Sequence, residues 1–597
     1  MTDQKNKLII SNGLLWAYLK ENTVDIFHLG NWLGSYEANK YYSLENCTEI
    51  IDQGNKVYLS YPDKSTREII LQKNILIDTL ANVVFTPTFS NSLHYRGDEN
   101  LEPIKRPITT TDNNEYLRDG YPKLKTSITN NQFKLTVLLE ESLLWKLDVP
   151  DYVYWLSQHL KMEFTNEHMS KLYATTLRSL YKLRMLTPDG EIKAAGFPDF
   201  PSLFGRDFAI SALGEIYLNP MKIKEEVAVH LKHIGLKKDL IRGLQKGRAV
   251  HEYNYDVETM AGKYQHFPSW YANDSNALLL MTIFRLARLQ FDFTIINEHP
   301  KTIKALWTHI AKLDLENDGL IRYKREPGQL LIHQTWRDGG DELKHSDDSR
   351  VNHPIAPLHD QLCLIGAMKE IYWYTQYNNT SPIGLTKEKL KEKIDEMENL
   401  IANKYWMPKL DSYALAIDGS GEQVKVVNSD VCIGYYYNIF PADQAVKQYR
   451  AIIDPKRLYD LVGIRTISKE HPSYSPRKYQ RGAVWPWQLS LTIAGLRNYN
   501  LDMNPLVECL EVLTRDKSIA EVYIADEEQP TPLTSCVEQR WSSAIPWLAL
   551  LEGILGLKIN YTDEPTWDPV DNFEKFGLEK ISDLYINGLK TTKSFIE

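Results

Sequence analysis

Along the first 140 residues or so, hydrophobic and polar positions alternate in short runs that turn-forming residues separate. A period of two places successive side chains on opposite faces of a half-buried strand. The pattern therefore predicts an N-terminal antiparallel β-sandwich domain over residues 1–150, followed by a helical linker over residues 151–166. The clearest predicted strands are TVDIFHL, NKVYLSY, TREIILQ, ANVVFTPTF and QFKLTVLLE.

After about residue 167 the hydrophobic period changes to 3.6, which is the repeat of an amphipathic helix. Some predicted helices, such as TKEKLKEKIDEMENLIANKY, are charged on one face, whereas WSSAIPWLALLEGILGL is apolar nearly all round. Such a division is typical of an outer and an inner ring of helices. We therefore predict a mainly α fold class with a double ring of about twelve helices over residues 167–597, near 167–186, 206–218, 221–235, 237–245, 274–288, 300–313, 358–377, 386–405, 441–453, 484–499, 503–516 and 540–556.

Charge and hydropathy exclude several classes of partner. The net charge is −9 and the isoelectric point is about 6.0, and no basic stripe is present, so nucleic acid is not expected as a partner. The apolar stretch 275–293 carries Arg285 and Arg288, which predicts a buried helix rather than a membrane span. Ser11 and Asn12 interrupt the apolar run near the N-terminus, which predicts a cytoplasmic protein without a secretory signal.

The metal-ligating residue types form no recognisable ligand pattern. Five cysteines are scattered without CxxC spacing, and His353 and His359 lack accompanying ligands. The run HEYNY at 251–255 begins like a zinc-protease motif but lacks the second histidine. We therefore expect no metal and no cofactor. The excess of aromatic residues, 14 Trp and 35 Tyr, favours core packing when composition is taken alone, and the same chemistry suits sugar faces.

Polar and aromatic residues concentrate in the segments between the predicted helices, where sites are usually built. Segment 194–213 places Arg206 and Asp207 at the predicted start of a helix, where Asp207 has the alternative role of a helix-start acid paired with Arg206. Asp274 precedes an apolar helix and has the alternative role of an N-cap.

Segment 333–350, HQTWRDGGDELKHSDDSR, carries five carboxylates. Asp338 is the favoured acid of this segment for a chemical role, and its setting supports this, because the apolar face of Trp336 is expected to raise the pKa of its carboxyl group by desolvation. Asp341 has the alternative roles of holding a substrate hydroxyl or stabilising the loop. The remaining acids are predicted to be solvated loop charges: Glu342, Asp347 and Asp348.

Several motifs between residues 194 and 544 occur together in one order: AAGFPDFPSLFGRD, GRAVHEY, QTWRDGGD, HPIAPLHDQ, YQRGAVWPW, and AEVY followed by SCVEQRWS. In this combination the chain resembles the glycogen-debranching, amylo-α-1,6-glucosidase-like glycoside hydrolases, which are related to glucoamylases and processing α-glucosidases. The resemblance extends to the N-terminal domain only by architecture. It implies an (α/α)6-barrel catalytic domain of the six-hairpin type and hydrolysis of α-glucosidic bonds in a carbohydrate substrate with inversion.

The resemblance also implies roles for individual residues. Asp338 in TWRD matches the general acid, and Glu521 in AEVY matches the general base. Inversion needs two carboxyl groups about 6.5–9.5 Å apart, so that a water molecule fits between the base and the sugar. Arg206 and Asp207 match the pair that grips hydroxyls of the terminal sugar. The other candidate substrate-binding residues are His251, Glu252, Asp274, Asp341 and Gln539, with Trp336, Trp485, Trp487 and Trp541 as stacking walls.

Three positions depart from the pattern that relatives often show: Asp199 replaces a tryptophan, Gln488 replaces an aspartate, and Arg540 adds a charge between Gln539 and Trp541. An aromatic wall is lost and charges appear, so these departures affect the expected specificity for the leaving group and leave the catalytic pair unchanged. A phosphorylase or a non-catalytic carbohydrate-binding protein on the same barrel is the alternative, which the presence of both candidate carboxylates disfavours. Glu252 or Asp341 is the next candidate for the base.

Overall fold

The computed structural model describes residues 7–595 apart from 30, 39–41, 81–82, 92–107, 112–113, 119–120, 130–131, 140–149, 341, 379–380, 514–518, 535, 537, 560–563 and 572. Its N-terminal part is built from the strands β1 (Lys7–Ser11), β2 (Trp16–Lys20), β3 (Thr23–His28), β4 (Asn31–Glu37), β5 (Glu49–Asp52), β6 (Lys56–Ser60), β7 (Thr66–Gln72), β8 (Ile75–Asp78), β9 (Val84–Asn91), β10 (Thr109–Thr110), β11 (Glu115–Leu117), β12 (Lys123–Thr129) and β13 (Gln132–Leu138).

These strands form two antiparallel sheets, in the orders β1-β2-β3-β4-β9 and β10-β11-β12-β13-β8-β7-β6-β5. Ile10 and Ile26 of the first sheet and Leu59, Leu71 and Leu135 of the second belong to one hydrophobic core. Along β13 buried and half-buried residues alternate, as a strand with one face in a core requires. The predicted runs correspond to β3, β6, β7, β9 and β13, so the N-terminal sandwich-like sheet region is confirmed.

The remaining chain contains further strands, most of them short, with longer ones only near its C-terminal end. They are β14 (Lys161–Phe164), β15 (Arg184–Thr187), β16 (Gly190–Lys193), β17 (Gly196–Phe197), β18 (Leu203–Phe204), β19 (Glu252–Tyr253), β20 (Ala356–Pro357), β21 (Trp406–Met407), β22 (Ser412–Tyr413), β23 (Ala416–Ile417), β24 (Gln423–Val424), β25 (Tyr459–Asp460), β26 (Gly463–Ile464), β27 (Glu538–Gln539), β28 (Leu578–Ile586) and β29 (Leu589–Ser594).

The helices begin in the expected linker and continue to residue 554. They are α1 (Tyr152–Ser157), α2 (Glu167–Lys182), α3 (Gly205–Leu218), α4 (Pro220–Lys232), α5 (Val257–Met260), α6 (Ser275–Gln290), α7 (Thr294–Glu298), α8 (Pro300–Ile310), α9 (Leu358–Tyr377), α10 (Lys387–Leu400), α11 (Cys432–Tyr436), α12 (Ala442–Ile452), α13 (Pro486–Leu496), α14 (Asn504–Leu513), α15 (Arg540–Ala544) and α16 (Pro546–Leu548), with π-helical turns at Ile401–Tyr405 and Ala549–Ile554 and 3₁₀ turns at Leu44–Asn46, Arg497–Tyr499 and Phe573–Phe576.

The buried helices contact one another in a closed circuit. In chain order, α3 packs against α6, α6 against α9, α9 against α11, and α11 against α13. Helix α13 then packs against the turn at Ala549–Ile554, while α15 packs back against α3. Between them in sequence lie α4, α8, α10, α12 and α14, which each keep residues exposed to solvent. This alternation of buried and half-exposed helices agrees with the two helix types predicted from the hydrophobic pattern.

Three local features differ from the expectation. Residues 237–245 form a turn closed by backbone hydrogen bonds between Asp239 and Leu244, because Gly243 has a positive φ of 68° that ends regular structure. Helix α11 was missed, since five residues are too short to show a helical period. Within the expected helical linker, β14 pairs instead with β28, which pairs with β29.

In the described part of the chain, no helix is both long enough and apolar enough to span a membrane.

Candidate active site

A cavity of about 600 Å³ lies where several buried helices begin. Arg206 and Asp207 reach it from the first turn of α3, Trp485 from the residue before α13, and Trp541 from the first turn of α15. The cavity brings together most of the residues singled out in the sequence: Arg206, Asp207, His251, Glu252, Trp336, Asp338, Trp485, Glu521 and Trp541.

Other sequence candidates lie outside the lining. Trp487 is fully buried, with its ring 5.5 Å from that of Trp336 and stacked at 5.7 Å on that of Trp541, so it supports the wall from behind. Gln539 is also fully buried and belongs to β27. Asp341 lies outside the described residues.

A short pair of strands delivers Arg206 to the cavity. β18 pairs with β19, and the Gly205 amide donates a hydrogen bond of 3.0 Å to the His251 carbonyl, so α3 begins beside His251 and Glu252. A Cβ atom at Gly205 would come within 2.2 Å of the Val250 carbonyl oxygen, and only glycine permits this close approach.

The Arg206 guanidinium joins two carboxylates rather than pairing with Asp207. Its Nε donates to Asp274 Oδ2 at 2.7 Å and its Nη2 donates to Asp274 Oδ1 at 3.1 Å, while Nη1 donates to Asp338 Oδ2 at 2.9 Å. Asp274 stands at the N-cap position of α6 but makes no side-chain capping bond, so the N-cap interpretation is wrong. Asp274 lies behind Arg206 and fixes the guanidinium in place, because a bidentate pair restricts its orientation.

Behind Arg206, one group of three buried metal-ligand types occurs among the described residues: Asp274, His359 and Asp360. Hydrogen bonds already engage these carboxylates, since Asp274 binds Arg206 and Asp360 accepts from Asn273 at 3.0 Å and from Thr335 at 2.6 Å. Burial and the neighbouring Asp274 raise the pKa of Asp360 to about 7. The group therefore acts as a hydrogen-bonded support for Arg206.

The ionisation of Asp338 differs from the sequence expectation. Burial opposes ionisation, but the Arg206 guanidinium and a 3.3 Å contact from His251 Nε2 outweigh it and hold the pKa of Asp338 below its ordinary value. The expected rise caused by Trp336 was wrong, because opposite charges within hydrogen-bond distance favour the charged form more strongly than burial disfavours it here.

The loop that carries Asp338 is anchored on both sides of this residue. Arg337 is buried, and its guanidinium binds the Asp430 carboxylate through Nη2 at 2.6 Å and Nε at 3.1 Å. The Gln480 side chain donates to the Trp336 carbonyl and accepts from the Gly339 amide at 2.9 Å. These bonds fix the backbone on either side of Asp338.

Glu521 approaches the cavity from a second segment. Antiparallel backbone hydrogen bonds between Val484 and Tyr523, both 2.9 Å, align this segment with the residues that precede α13. Burial raises the pKa of Glu521 to about 8, against the lowering effect of hydrogen bonds from the Tyr479 hydroxyl at 2.5 Å and the Thr534 hydroxyl at 3.1 Å. Burial likewise raises the pKa of Asp207 to about 7. At neutral pH the proton therefore resides mainly on Glu521, while Asp338 is ionised.

Two charged positions have different environments from those expected. Glu342 is buried and pairs with Arg481 at 3.1 Å, so it is not a solvated loop charge. Arg540 points away from the cavity lining and binds Glu215 at 2.7 Å and Glu226 at 2.5 Å, both of them buried. The charge of Arg540 thus joins α15 to α3 and α4 through ion pairs, and it is not directed at a leaving group in the cavity.

Sequence reasoning missed several lining residues. Tyr479 and Thr534 bind Glu521, and Gln480 binds the Asp338 loop. Tyr479 and Gln480 open the motif YQRGAVWPW, so position in that motif was an available signal. Apolar residues line the remaining wall: Phe267, Leu330, Leu331 and Ile332.

Comparison with known families identifies the chemistry of this domain. The family model of the mannosylglycerate hydrolase MGH1-like glycoside hydrolase domain matches residues 364–531, a segment that includes Tyr479 and Glu521. No curated protein sequence matches the chain.

Solved structures share the fold at low sequence identity. A GH63 mannosylglycerate hydrolase from Thermus thermophilus, solved in complex with Tris and D-glycerate, aligns with a TM-score of 0.50 and 13% identity over 63% of this chain and 99% of that chain. A structure named sialidase aligns with a TM-score of 0.54 and 11% identity over 99% of this chain and 59% of that chain. With the family-model match, these comparisons identify the chain as an enzyme that carries a glycoside hydrolase domain.

Proposed function

We propose that the chain is an inverting, exo-acting α-glycoside hydrolase, and that Asp338 and Glu521 are its catalytic pair. The observation that carries the proposal is that these two carboxyl groups line one cavity and differ in ionisation, because the pKa of Asp338 is lowered and that of Glu521 is raised to about 8. Glycosidic hydrolysis with inversion requires one protonated and one ionised carboxyl group at the same time.

In this proposal Asp338 is the general acid and Glu521 is the general base, as the sequence resemblance implies. The proton must then pass from Glu521 to Asp338 when substrate binds. A sugar hydroxyl that accepts hydrogen bonds from Arg206 would weaken the Arg206 contact with Asp338, and this contact is the main effect that lowers the pKa of Asp338. The reverse assignment, with Glu521 as acid, is the alternative that the ionisation in this structure favours.

The finer architecture also belongs to the proposal. The closed circuit from α3 through α6, α9, α11 and α13 to α15 supports an (α/α)6 toroid over residues 167–597. The two N-terminal sheets support a separate sandwich domain over residues 1–150. Because β14 pairs with β28, we propose that the linker of residues 151–166 folds with the helical domain.

The preferred substrate is an α-glucoside of the kind that amylo-1,6-glucosidases or glucoamylases cleave, because the motifs between residues 194 and 544 resemble those of these enzymes. The name of the matching family model favours a mannoside as the second candidate. In either case Arg206 and Asp207 lie where a terminal sugar can be held by charge-assisted hydrogen bonds.

Water is the proposed nucleophile rather than phosphate. A phosphorylase needs cations that balance a phosphate ion in the cavity. Among the described lining residues, Arg206 supplies the one cationic Lys or Arg side chain. Asp274 and Asp338 already neutralise its charge. The charge distribution therefore supports hydrolysis over phosphorolysis.

A panel of glycosides tests the proposal. Purified protein is incubated with α-1,4- and α-1,6-linked glucosides, α-mannosides and the corresponding β-glycosides, with and without inorganic phosphate, and the first anomer released is followed by NMR. We expect phosphate-independent release of a β-anomer from one class of α-glycoside. An α-anomer as first product contradicts inversion, and a strict requirement for phosphate contradicts hydrolysis.

A further inference from the structure

The cavity has a buried end and an open end. Arg206 is 3% exposed, Trp336 1% and Glu521 2%, whereas Leu330 is 44% exposed. In an exo-acting enzyme the terminal sugar enters first and occupies the buried end, so the leaving group remains at the open end. This inference rests on the proposed function, because it assigns the open end to a leaving group.

The open end is apolar and held in a defined position. Leu330, Leu331 and Ile332 follow one another along a single loop that lines the cavity. Gln329 anchors the start of this loop, since its side chain donates to the Leu240 carbonyl at 2.8 Å and accepts from Gln334 Nε2 at 2.8 Å. Gln334 in turn accepts from Arg248 Nη2 at 2.8 Å. The exposed apolar side chains are thus presented by a preformed loop, as ligand sites usually require.

Phe267 adds an apolar side chain to the lining of the same cavity from a different segment, and it is itself buried. An aromatic face together with aliphatic side chains suits the CH-rich face of a sugar ring or an alkyl or aryl group. The side chains of such a wall offer a charged group no hydrogen-bond partner.

The charged groups of the cavity are mostly acidic. The carboxyl groups that line it belong to Asp199, Asp207, Glu252, Asp338 and Glu521. The Arg206 guanidinium is shared between Asp274 and Asp338, so its charge is balanced before any leaving group binds. A carboxylate on the leaving group would therefore meet the ionised Asp338, and among the described lining residues no Lys or Arg other than Arg206 is present to pair with it. Its desolvation would carry a large cost.

The pKa values of the lining acids are consistent with this charge distribution. The pKa of Asp207 rises because of burial first, and the charge of Asp338 adds to the rise. The pKa of Glu521 also rises because of burial, and Asp207 and Asp199 add to it. The interior of the cavity thus disfavours additional negative charge at two separate positions.

We propose that the open end of this cavity selects an uncharged leaving group with an apolar face and excludes leaving groups that carry a carboxylate. The substrate class is therefore a glycoside of a neutral alcohol or a second neutral sugar. A glycoside of an acid such as glycerate is a poor substrate for this chain.

Three matched substrates test the role of charge. The α-glucosides of glycerol, of glycerate and of methyl glycerate share one sugar, and the ester matches the acid in shape without its charge; the three α-mannosides form a parallel set. We expect kcat/KM for the ester and the glycerol compound to exceed that for the carboxylate by about 10²-fold. Equal kcat/KM values for the acid and the ester overturn the proposal. The proposal also fails if the glycerol compound is a good substrate while the ester is as poor as the acid.

A pair of variants tests where the selection arises. Leu331→Lys places a cation at the open end and is expected to raise the ratio of kcat/KM for acid over ester by about 10-fold. Leu331→Gln, which is polar but uncharged, is the matched control and should leave this ratio near the wild-type value. An unchanged ratio in a folded Leu331→Lys protein overturns the assignment of the open end to the leaving group.

Glycosyl fluorides separate this proposal from the proposed function. Fluoride is a small leaving group that needs neither an apolar wall nor protonation, so α-glucosyl and α-mannosyl fluoride report on the general base and the sugar-binding end of the cavity. Absence of turnover with both fluorides and with every member of the matched sets contradicts the proposed function. Turnover of a fluoride, together with equal rates for acid and ester, contradicts the leaving-group inference alone.

Discussion

Arg206 Nη1 lies 2.9 Å from Asp338 Oδ2, so the residue that was expected to hold sugar hydroxyls pairs with the proposed general acid. Arg206 therefore has two roles that compete for one guanidinium edge. Substrate hydroxyls that draw Nη1 away would let the pKa of Asp338 rise, and this would couple substrate binding to the protonation of the acid.

The catalytic pair can be tested by removing each carboxylate. We expect Asp338→Asn and Glu521→Gln each to lower kcat/KM on alkyl glycosides by at least ~10²-fold, the lower range for the loss of a general acid or base. Circular dichroism checks that each variant is folded. A folded variant with nearly full activity would remove that residue from the mechanism.

Substrate and nucleophile rescue distinguish the acid from the base. A glycosyl fluoride needs no protonation of its leaving group, so Asp338→Asn should retain far more activity on the fluoride than on alkyl glycosides. Azide needs no general base, so it should restore turnover to Glu521→Gln with formation of a glycosyl azide. The opposite pattern would assign the acid role to Glu521, as the ionisation in this structure suggests.

The pH dependence of kcat/KM should be bell-shaped, because the active form of the pair carries one proton. Glu521, with a pKa of about 8, predicts that activity falls above pH 8. The lowered pKa of Asp338 predicts that the acid limb lies below the ordinary range of an aspartate. These limbs belong to the pair rather than to a single residue. An alkaline limb near pH 5 would contradict the buried setting of Glu521.

Glu521 should also reduce stability at high pH. Its pKa is raised in the folded state, so the folded protein keeps a proton that the unfolded chain loses, and stability falls as pH rises from about 4.5 to about 8. Glu521→Gln removes this effect. We expect it to raise the free energy of unfolding at pH 8.5 by roughly 3–5 kcal/mol and to change it little at pH 4.5.

Asp338→Asn is the matched control for this stability effect, because the pKa of Asp338 is shifted in the opposite direction. Its stabilising effect is present above the unfolded pKa and is lost as pH falls, so the variant should be less stable than wild type at neutral pH. Thermal unfolding of both variants at the two pH values makes the comparison. A gain of stability in both variants at pH 8.5 would contradict the assigned shifts.

Arg206→Lys should separate the two contacts of the guanidinium. A lysine ammonium cannot bind Asp274 in a bidentate manner and reach Asp338 at the same time. We expect a loss of at least ~10²-fold in kcat/KM, because hydroxyl contacts remote from the cleaved bond help to position it, and a shift of the acid limb to higher pH. A normal pH profile in an impaired variant would indicate a role in substrate binding alone.

Arg540 is predicted to stabilise the fold without acting in the cavity. Arg540→Met leaves Glu215 and Glu226 without their main partner and should cost about 3–5 kcal/mol, the usual effect of breaking a buried ion pair. Arg477, which pairs with Glu527 at the surface, provides the control, since Arg477→Met should cost less than about 1 kcal/mol. Urea unfolding measures both, and a mild effect at Arg540 would contradict the prediction.

Much of the site could be predicted from motifs, whereas its electrostatics could not. Asp338, Glu521, Arg206 and Trp336 were identified from the sequence, and they meet in one cavity. The direction of the Asp338 pKa shift depends on which charge lies nearest, and contacts between residues more than a hundred positions apart carry no sequence signal.

The same limit applies to the fold. Long helices such as α2 and α10 can be predicted from their hydrophobic period, but the five-residue α11 cannot. β14 lies at the expected linker, yet its partner β28 is more than four hundred residues away. Pairing over such distances depends on tertiary packing that local patterns do not encode.

The circuit of buried helices closes late in the chain. Arg540 of α15 binds Glu215 of α3, 325 positions earlier, and β27 pairs with β17 beside this contact. A nascent chain on the ribosome cannot make this closure until residue 540 has left the exit tunnel, so the face of α3 that packs against α15 stays exposed through most of translation. Slow, high-contact-order assembly of this kind favours aggregation. Production of active protein should therefore depend on chaperone supply and on the rate of synthesis more than on the strength of the finished fold.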